Sequence, residues 1–145
     1  MSENPIYDVR VALATALRDR LQWPMRIIGE NTDIPIADQV GTWARMTNFP
    51  SAIVPKTLGN GGQDEYEGYM TLDVFVPEGT GDKALLSYAS QVVGGFPAGT
   101  RLVYNGLVVR IQRVEPDTIQ RPEAGATSFI SVHIYWATRL TRNLT

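Results

Sequence analysis

A glycine-rich turn between a predicted strand and a predicted helix is the first place where this sequence could do chemistry. Gly79, Gly81 and Ala84 form a Gly-x-Gly-x-x-Ala pattern at the start of an apolar-periodic run. Such glycines let a pyrophosphate approach the N-terminus of a helix. A dinucleotide unit also needs an acidic residue on a second strand, about 20 residues further on, to hold the ribose. Segment 99–102 has no carboxylate, so the pattern indicates an ordinary turn into a helix.

The charges around the same turn also argue against a phosphate site. Glu78 and Asp82 flank the glycines and would repel a phosphate group. Lys83 stands at the wrong spacing for a P-loop, and no Ser or Thr follows it. We therefore predict no nucleotide cofactor.

His133 is the second candidate for chemistry and the only histidine of the sequence. It shares a predicted strand face with Ser131 and Tyr135, so a Ser-His pair is conceivable by residue type. The sequence has no Gly-x-Ser-x-Gly elbow, and a catalytic histidine normally has an orienting carboxylate. We predict a hydrogen-bonded structural histidine, no catalytic residue and no enzymatic activity. A small enzyme that uses His133 or the 79–81 turn is the alternative from a different class.

Three acidic residues, Asp64, Glu65 and Glu67, lie close together near a predicted hairpin tip. They lack the Asp/Asn-Gly spacing of a calcium loop. We expect a solvated loop, with a weak hard-cation contact shared between subunits as the open alternative. No metal site and no cofactor are predicted.

The bulk composition fits one globular domain that needs no disulfide or metal crosslinks. The chain has 145 residues, 43% of them apolar, a net charge of -2 and no cysteine. The lack of cysteine excludes disulfides, thiolate metal sites and cysteine nucleophiles. The arginines are scattered along the sequence, which argues against tight binding to phosphate backbones but leaves open a local patch formed by folding. No secretory signal or membrane span is expected, so we predict a cytoplasmic protein.

Hydrophobic periodicity predicts an α+β fold. The helices are expected at 5–21 and 82–93, and the strands or strand-like segments at 25–28, 42–49, 51–58, 67–76, 107–114 and 129–138. This order predicts a mostly antiparallel or mixed sheet of about four to six strands, with two helices packed on one face. We expect a single domain over residues 1–145, with flexible loops at 59–66 and 115–128.

Aromatic residues mark a second surface of the predicted sheet. Trp43, Phe75, Phe129 and Tyr135 fall opposite or beside the stripes that should face the helices. Either the sheet curls around its own loops, or these residues form a surface between subunits.

An ordered set of motifs runs through most of the sequence. Segment 68–81 reads Gly-x-x-x-Leu-x-Val-x-Val-Pro-x-Gly-x-Gly, and Phe96-Pro97 follows the second predicted helix. Segment 131–136 reads Ser-Val-x-Ile-x-Trp in the last predicted strand. In this order the motifs resemble the tail terminator proteins of long, non-contractile phage tails. Segments 32–40 and 59–65 depart from the family pattern.

The resemblance implies a homo-oligomer, a ring of six subunits that caps the tail tube and stops its polymerisation. The implied partners are the major tail tube protein and the head-neck connector proteins, with DNA passing non-specifically through the lumen and no membrane. It implies a place at the head-proximal end of the virion tail, after assembly in the host cytoplasm. A neck or head-completion protein is the alternative from the same class. The candidate residues for contacts with other subunits or the tube are Trp43, Phe49, Asn60, Gln63, Asp64, Glu65, Tyr66, Phe75, Phe129 and Tyr135.

Overall fold

The protein folds into two helices and a six-stranded sheet. The structure is a computed structural model that describes residues 4–25, 27–29, 41–77, 79–121 and 127–141. The elements are α1 Pro5–Leu21, β1 Ile27–Ile28, β2 Trp43–Pro55, β3 Gln63–Pro77, α2 Asp82–Gly95, β4 Arg101–Tyr104, β5 Leu107–Pro116 and β6 Thr127–Thr141. This order confirms the predicted α+β fold.

The strands form one mixed sheet in the order β1-β2-β3-β6-β5-β4. β1 runs parallel to β2, and every other neighbouring pair is antiparallel. β3 and β6 pair over their whole length, from Gln63 opposite Thr141 to Pro77 opposite Thr127. Their apolar alternation explains this central position, because side chains such as Leu72 are fully buried on the helix side.

Both helices pack on one face of the sheet, as predicted. α1 contacts β4 and β5, whereas α2 contacts β3, β5 and β6. Asn4 caps the N-terminus of α1, and its side chain accepts a hydrogen bond from the Tyr7 amide at 3.2 Å. Leu13 and Leu17 lie on the buried stripe of this helix and join the core. The cap and the stripe together fix where α1 starts and which side faces the sheet.

Several predicted boundaries differ from the structure. The sequence pattern places the end of a strand at Pro50, but β2 continues to Pro55 through a register shift between Pro50 and Ala52. A β-bulge of this kind accommodates a proline, which has no N–H to donate to the ladder. β3 begins at Gln63, inside the predicted 59–66 loop, since pairing with β6 extends that far. The predicted 115–128 loop is also shortened at both ends by β5 and β6, and its residues 122–126 lie outside the described residues.

The hairpin of β4 and β5 was not predicted from the sequence. Tyr104 pairs with Leu107, so Asn105 and Gly106 form a two-residue turn. Both turn residues have positive φ, 50° and 79°. Asn-Gly is a strong sequence signal for such a turn, although the preceding strand of four residues is too short to show an alternation.

Gly68 allows β2, β3 and β6 to approach closely. A Cβ atom at this position would lie 2.5 Å from the Phe49 carbonyl oxygen and 2.8 Å from the Trp136 ring. The Trp136 indole is fully buried there, and its Nε1–H donates to Asn48 Oδ1 at 3.0 Å. The glycine is therefore required by packing rather than by its backbone conformation.

Candidate interaction surface

The sheet face opposite the helices, which we call the outer face, carries two rows of aromatic side chains. Residues that pair directly across antiparallel strands project from the same face. The first aromatic row is Trp43, Phe75 and Phe129, and the second is Phe49, Tyr69 and Tyr135. We call these six residues together the aromatic face.

The first aromatic row is tightly stacked. The rings of Trp43 and Phe75 are nearly parallel, with an interplanar angle of 8° and centroids 4.1 Å apart. The Phe75 and Phe129 centroids are 5.2 Å apart. The Arg45 guanidinium lies over the Phe75 ring at 5.5 Å, within cation–π range. Trp43 is buried, whereas Phe75 and Phe129 are half-buried, so this row is partly covered.

The second aromatic row is more open. Phe49 and Tyr69 have ring centroids 5.0 Å apart, and Tyr69 and Tyr135 have centroids 5.5 Å apart. The Arg113 guanidinium lies 3.8 Å from the centroid of the Tyr135 ring. The Phe49 side chain is 42% exposed, which is unusual for a phenylalanine in the middle of a strand. This row therefore offers apolar and cationic groups to a partner.

A polar band separates the two aromatic rows and is satisfied within the chain. Asp73 is almost fully buried and accepts hydrogen bonds from the Ser131 hydroxyl and from Arg45, the latter at 3.1 Å. These contacts keep a buried carboxylate paired. The buried carboxylate of this band is therefore paired within the chain.

His133 belongs to the same band, and its neighbours explain its role. The Thr71 hydroxyl lies 2.9 Å from His133 Nδ1, and Asp117 Oδ2 lies 3.7 Å from Nε2. A hydroxyl, an imidazole and a carboxylate are therefore adjacent, as in a hydrolase. Thr71, however, is only 7% exposed and is paired with strands on both sides, so its oxygen has no room for a substrate. The geometry is that of a hydrogen-bonded structural histidine, as the sequence predicts.

Residues of the glycine turn before α2 make a hydrogen bond and an ion pair within the chain. Gly79 and Gly81 have positive φ of 87° and 90°, which explains why glycine occurs at both positions. The Thr80 hydroxyl donates to the Pro77 carbonyl at 2.7 Å. Asp82, in the first turn of α2, forms an ion pair with Arg121. A carboxylate at this helix terminus opposes the binding of a phosphate.

Glu65 is the centre of a charge cluster at the far end of the sheet. Its carboxylate lies 2.6 Å from Arg110, 3.3 Å from Lys56 and 3.9 Å from Arg139. Burial raises the pKa of Glu65, but hydrogen bonds from Arg110 and Lys56 outweigh it and hold the pKa below its ordinary value of 4.5. Surrounded by cations, this carboxylate does not suit a metal ion, and in the part of the chain that the structure describes no acidic or histidine group is arranged to hold one.

The predicted contact residues are divided among three places. Five aromatic candidates, Trp43, Phe49, Phe75, Phe129 and Tyr135, come together on the outer face. Asn60 and Gln63 are exposed at the β2–β3 hairpin end. The Tyr66 side chain instead lies in the core, 2% exposed, with its ring edge-on to Trp136 at 5.0 Å. Tyr66 is thus unavailable to a partner.

Of the two predicted acidic candidates, Glu65 is paired with neighbouring cations. The Glu65 side chain is only 12% exposed beneath its three cations. Asp64 lies on the next position of β3 and is half-buried. Tyr69 and Arg113 lie on the same face beside Tyr135 and are not among the sequence-based candidates, although the alternation of β3 places Tyr69 on that face.

A family model described as phage tail terminator protein matches residues 8–136, most of the chain. The chain therefore belongs to the phage tail terminator family, and it is a tail-associated structural protein. Among the described residues no helix is long and apolar enough to span a membrane.

The fold also occurs among solved structures. In one of them 99% of each chain is covered, with a TM-score of 0.74 and 18% sequence identity. This similarity concerns the fold alone. No curated protein matches the sequence.

Proposed function

We propose that this protein ends the growth of a phage tail tube by forming a ring of six copies on its last layer. The ring sits at the head-proximal end of the virion tail and presents its other side to the neck proteins, with DNA passing through its lumen. Assembly takes place in the host cytoplasm. The role in the tail is supported by the family to which the chain belongs. The contact between copies is supported by the aromatic face.

The observation that carries the proposal is the aromatic face. Interface cores are enriched in aromatic residues and arginine and depleted in other charged residues. The second aromatic row has this composition, with Phe49, Tyr69 and Tyr135 beside Arg113. The exposed Phe49 ring can enter a pocket on a neighbouring molecule, as interface hot spots do.

A ring also requires a second, different patch, because rings of more than two subunits are built from heterologous interfaces. The outer edge of β2 is suited to this role. β1 pairs only with Ala44 and Arg45, so within the described ranges the rest of that edge has no strand partner. Ile53 and Val54 are exposed near its end, and Leu58 just beyond it is 91% exposed. Pro50 and Pro55 limit strand addition, so side-chain packing is the main contact expected along this edge.

The proposal is tested by a tube-growth assay with purified tail tube subunits. Wild-type protein is expected to stop elongation and to leave a visible cap on one end of each tube. Phe49→Asp should lose this activity, because the new charge would be desolvated in the contact. Leu86→Asp is the matched control, since Leu86 is 53% exposed on α2, on the opposite side of the sheet. Tubes that grow equally long with and without the wild-type protein would refute the proposal.

A further inference from the structure

Four cations gather on the outer face at the end of the sheet that is distant from the first aromatic row. Arg110 and Arg139 project beside Glu65, and Lys56 approaches the same carboxylate. Arg101 pairs with Arg110 across β4 and β5, so it projects from the same face. We call these four cations with Glu65 the basic row. Its formal charge is +3, although the whole chain carries -2.

The three arginines of the basic row line an open groove of about 340 Å³. Arg101, Arg110 and Arg139 supply its charged walls, and the turn residue Gly106 with Leu107 and Val108 supplies the rest. Arg110 and Arg139 share one carboxylate, which leaves several guanidinium donors unused. Arg101 has no side-chain partner among the described residues. The groove therefore has an excess of donors for carboxylates.

We propose that this groove binds segment 30–40 of a neighbouring copy of the chain. The segment has the sequence Glu-Asn-Thr-Asp-Ile-Pro-Ile-Ala-Asp-Gln-Val, with three carboxylates, Glu30, Asp33 and Asp38, and no lysine or arginine. Its charge of -3 matches the +3 of the basic row. The inference rests on the proposed function, because the ring brings copies into contact.

The segment of the same chain is too far away to fill the groove. Ile28 pairs with Arg45, which in turn pairs with Asp73, eight residues of β3 from Glu65. Eight strand residues span about 27 Å. Asp33 is five residues beyond Ile28 and reaches at most about 17 Å from it.

The other end of the segment is still further from the groove. Trp43 pairs with Phe75, ten residues of β3 from Glu65, or about 34 Å along the strand. Asp38 precedes Trp43 by five residues and reaches about 17 Å. The carboxylates of one copy thus meet the groove of another copy, at the opposite edge and the opposite end of the sheet. Two such different patches are what a heterologous ring contact requires.

Charge reversal on each side of the contact provides the sharpest test. The first variant carries Arg101→Glu and Arg139→Glu, and Arg110 is kept to pair with Glu65. The second variant carries Glu30→Lys, Asp33→Lys and Asp38→Lys. Each variant alone should require at least ~10-fold higher concentration to assemble than wild type, because like charges meet in every contact.

An equimolar mixture of the two variants should assemble within ~3-fold of the wild-type concentration. In an alternating ring with an even number of subunits, each reversed patch faces a patch of opposite sign. Native mass measurement would show equal numbers of both variants in each ring. Lys83→Glu, an exposed charge reversal on α2, should assemble as wild type does. Single variants that assemble normally, or a mixture that does not recover, would overturn the inference.

A peptide titration tests the groove independently of ring formation. A synthetic peptide with the sequence of residues 29–41 should bind the full-length protein, and Arg101→Glu should weaken binding at least ~5-fold. A peptide with Gln and Asn in place of the three carboxylates should not bind, and salt should weaken the wild-type peptide. Binding that is indifferent to Arg101→Glu, or binding of duplex DNA without binding of the peptide, would refute this occupant. If the wild-type protein did not bind tube subunits, the proposed function would be refuted instead. The peptide titration would still show whether the groove binds the segment.

Discussion

The rings of Phe49 and Tyr69 stack across β2 and β3 with centroids 5.0 Å apart, yet the Phe49 side chain remains 42% exposed. The phenylalanine is positioned by its neighbour but not covered by the chain. An aromatic ring held in one orientation loses little entropy when a partner covers it. This relationship makes the second aromatic row the part of the surface most suited to a contact between copies.

Phe49→Asp and Tyr135→Asp should each abolish assembly while the monomer stays folded. A carboxylate in the packed contact would lose its hydration, so we expect at least ~100-fold weaker assembly. The monomer of Tyr135→Asp should stay folded because the new carboxylate can pair with Arg113, which lies over the Tyr135 ring in the wild type. Analytical ultracentrifugation measures assembly, and urea unfolding measures monomer stability. If both variants still form rings, the aromatic face is not the contact.

His133→Ala should lower the stability of the fold and should abolish no enzymatic activity. Thr71 is only 7% exposed, and the change leaves its hydroxyl without the imidazole partner at 2.9 Å. An unsatisfied buried hydroxyl costs about 1–3 kcal/mol, and urea unfolding would detect this change. Lys83→Ala, an exposed change on α2, should be neutral. Any turnover of a small molecule that either change abolished would instead support an enzyme.

Gly68→Ala should be among the most destabilising small substitutions in this chain. The added methyl group would lie 2.5 Å from the Phe49 carbonyl oxygen and 2.8 Å from the Trp136 ring, and the backbone oxygen cannot rotate away. Overpacking of this kind costs about 1–3 kcal/mol. Gly94→Ala is the matched control, because nothing lies within 4 Å of a Cβ there and alanine favours the helix. Thermal unfolding of both variants would decide; equal melting temperatures would contradict the close packing at Gly68.

The ion pairs of Glu65 should stabilise the fold at neutral pH and not in acid. The pKa of Glu65 in the folded protein lies below its ordinary value of 4.5, since Arg110 and Lys56 stabilise the carboxylate more than burial disfavours it. A lowered folded-state pKa contributes stability above the unfolded pKa, and this stability is lost as the pH falls through the folded pKa. Glu65→Gln should therefore be less stable than wild type at pH 7. This difference in the free energy of unfolding should shrink as the pH falls below 4.5, the ordinary pKa of a glutamate. A difference that stays constant with pH would show that the carboxylate charge is irrelevant.

The sequence predicts the elements whose patterns are local. Asn4 and Pro5 mark the start of α1, and the alternation from Met70 to Val76 marks the central strand. The continuation of β2 beyond Pro50 depends on a bulge that pairing with β3 makes possible, so no local pattern reveals it.

The surface was predicted less completely than the fold. Five of the six aromatic candidates could be assigned to one face because a strand alternates with period two. The basic row could not be found, since Lys56, Arg101, Arg110 and Arg139 are far apart in the sequence and meet only through the order of the sheet. Tyr66 falls within the predicted 59–66 loop, but the extra length of β3 carries it into the core.

The most direct test of the account is negative-stain imaging with mass measurement of the purified protein, alone and with tail tube subunits. We predict rings of six identical subunits, either free at high concentration or seated on one end of each tube, and tubes that stop growing once capped. A protein that stays monomeric at every concentration and leaves tube growth unchanged would contradict the claim that it works by contact between copies.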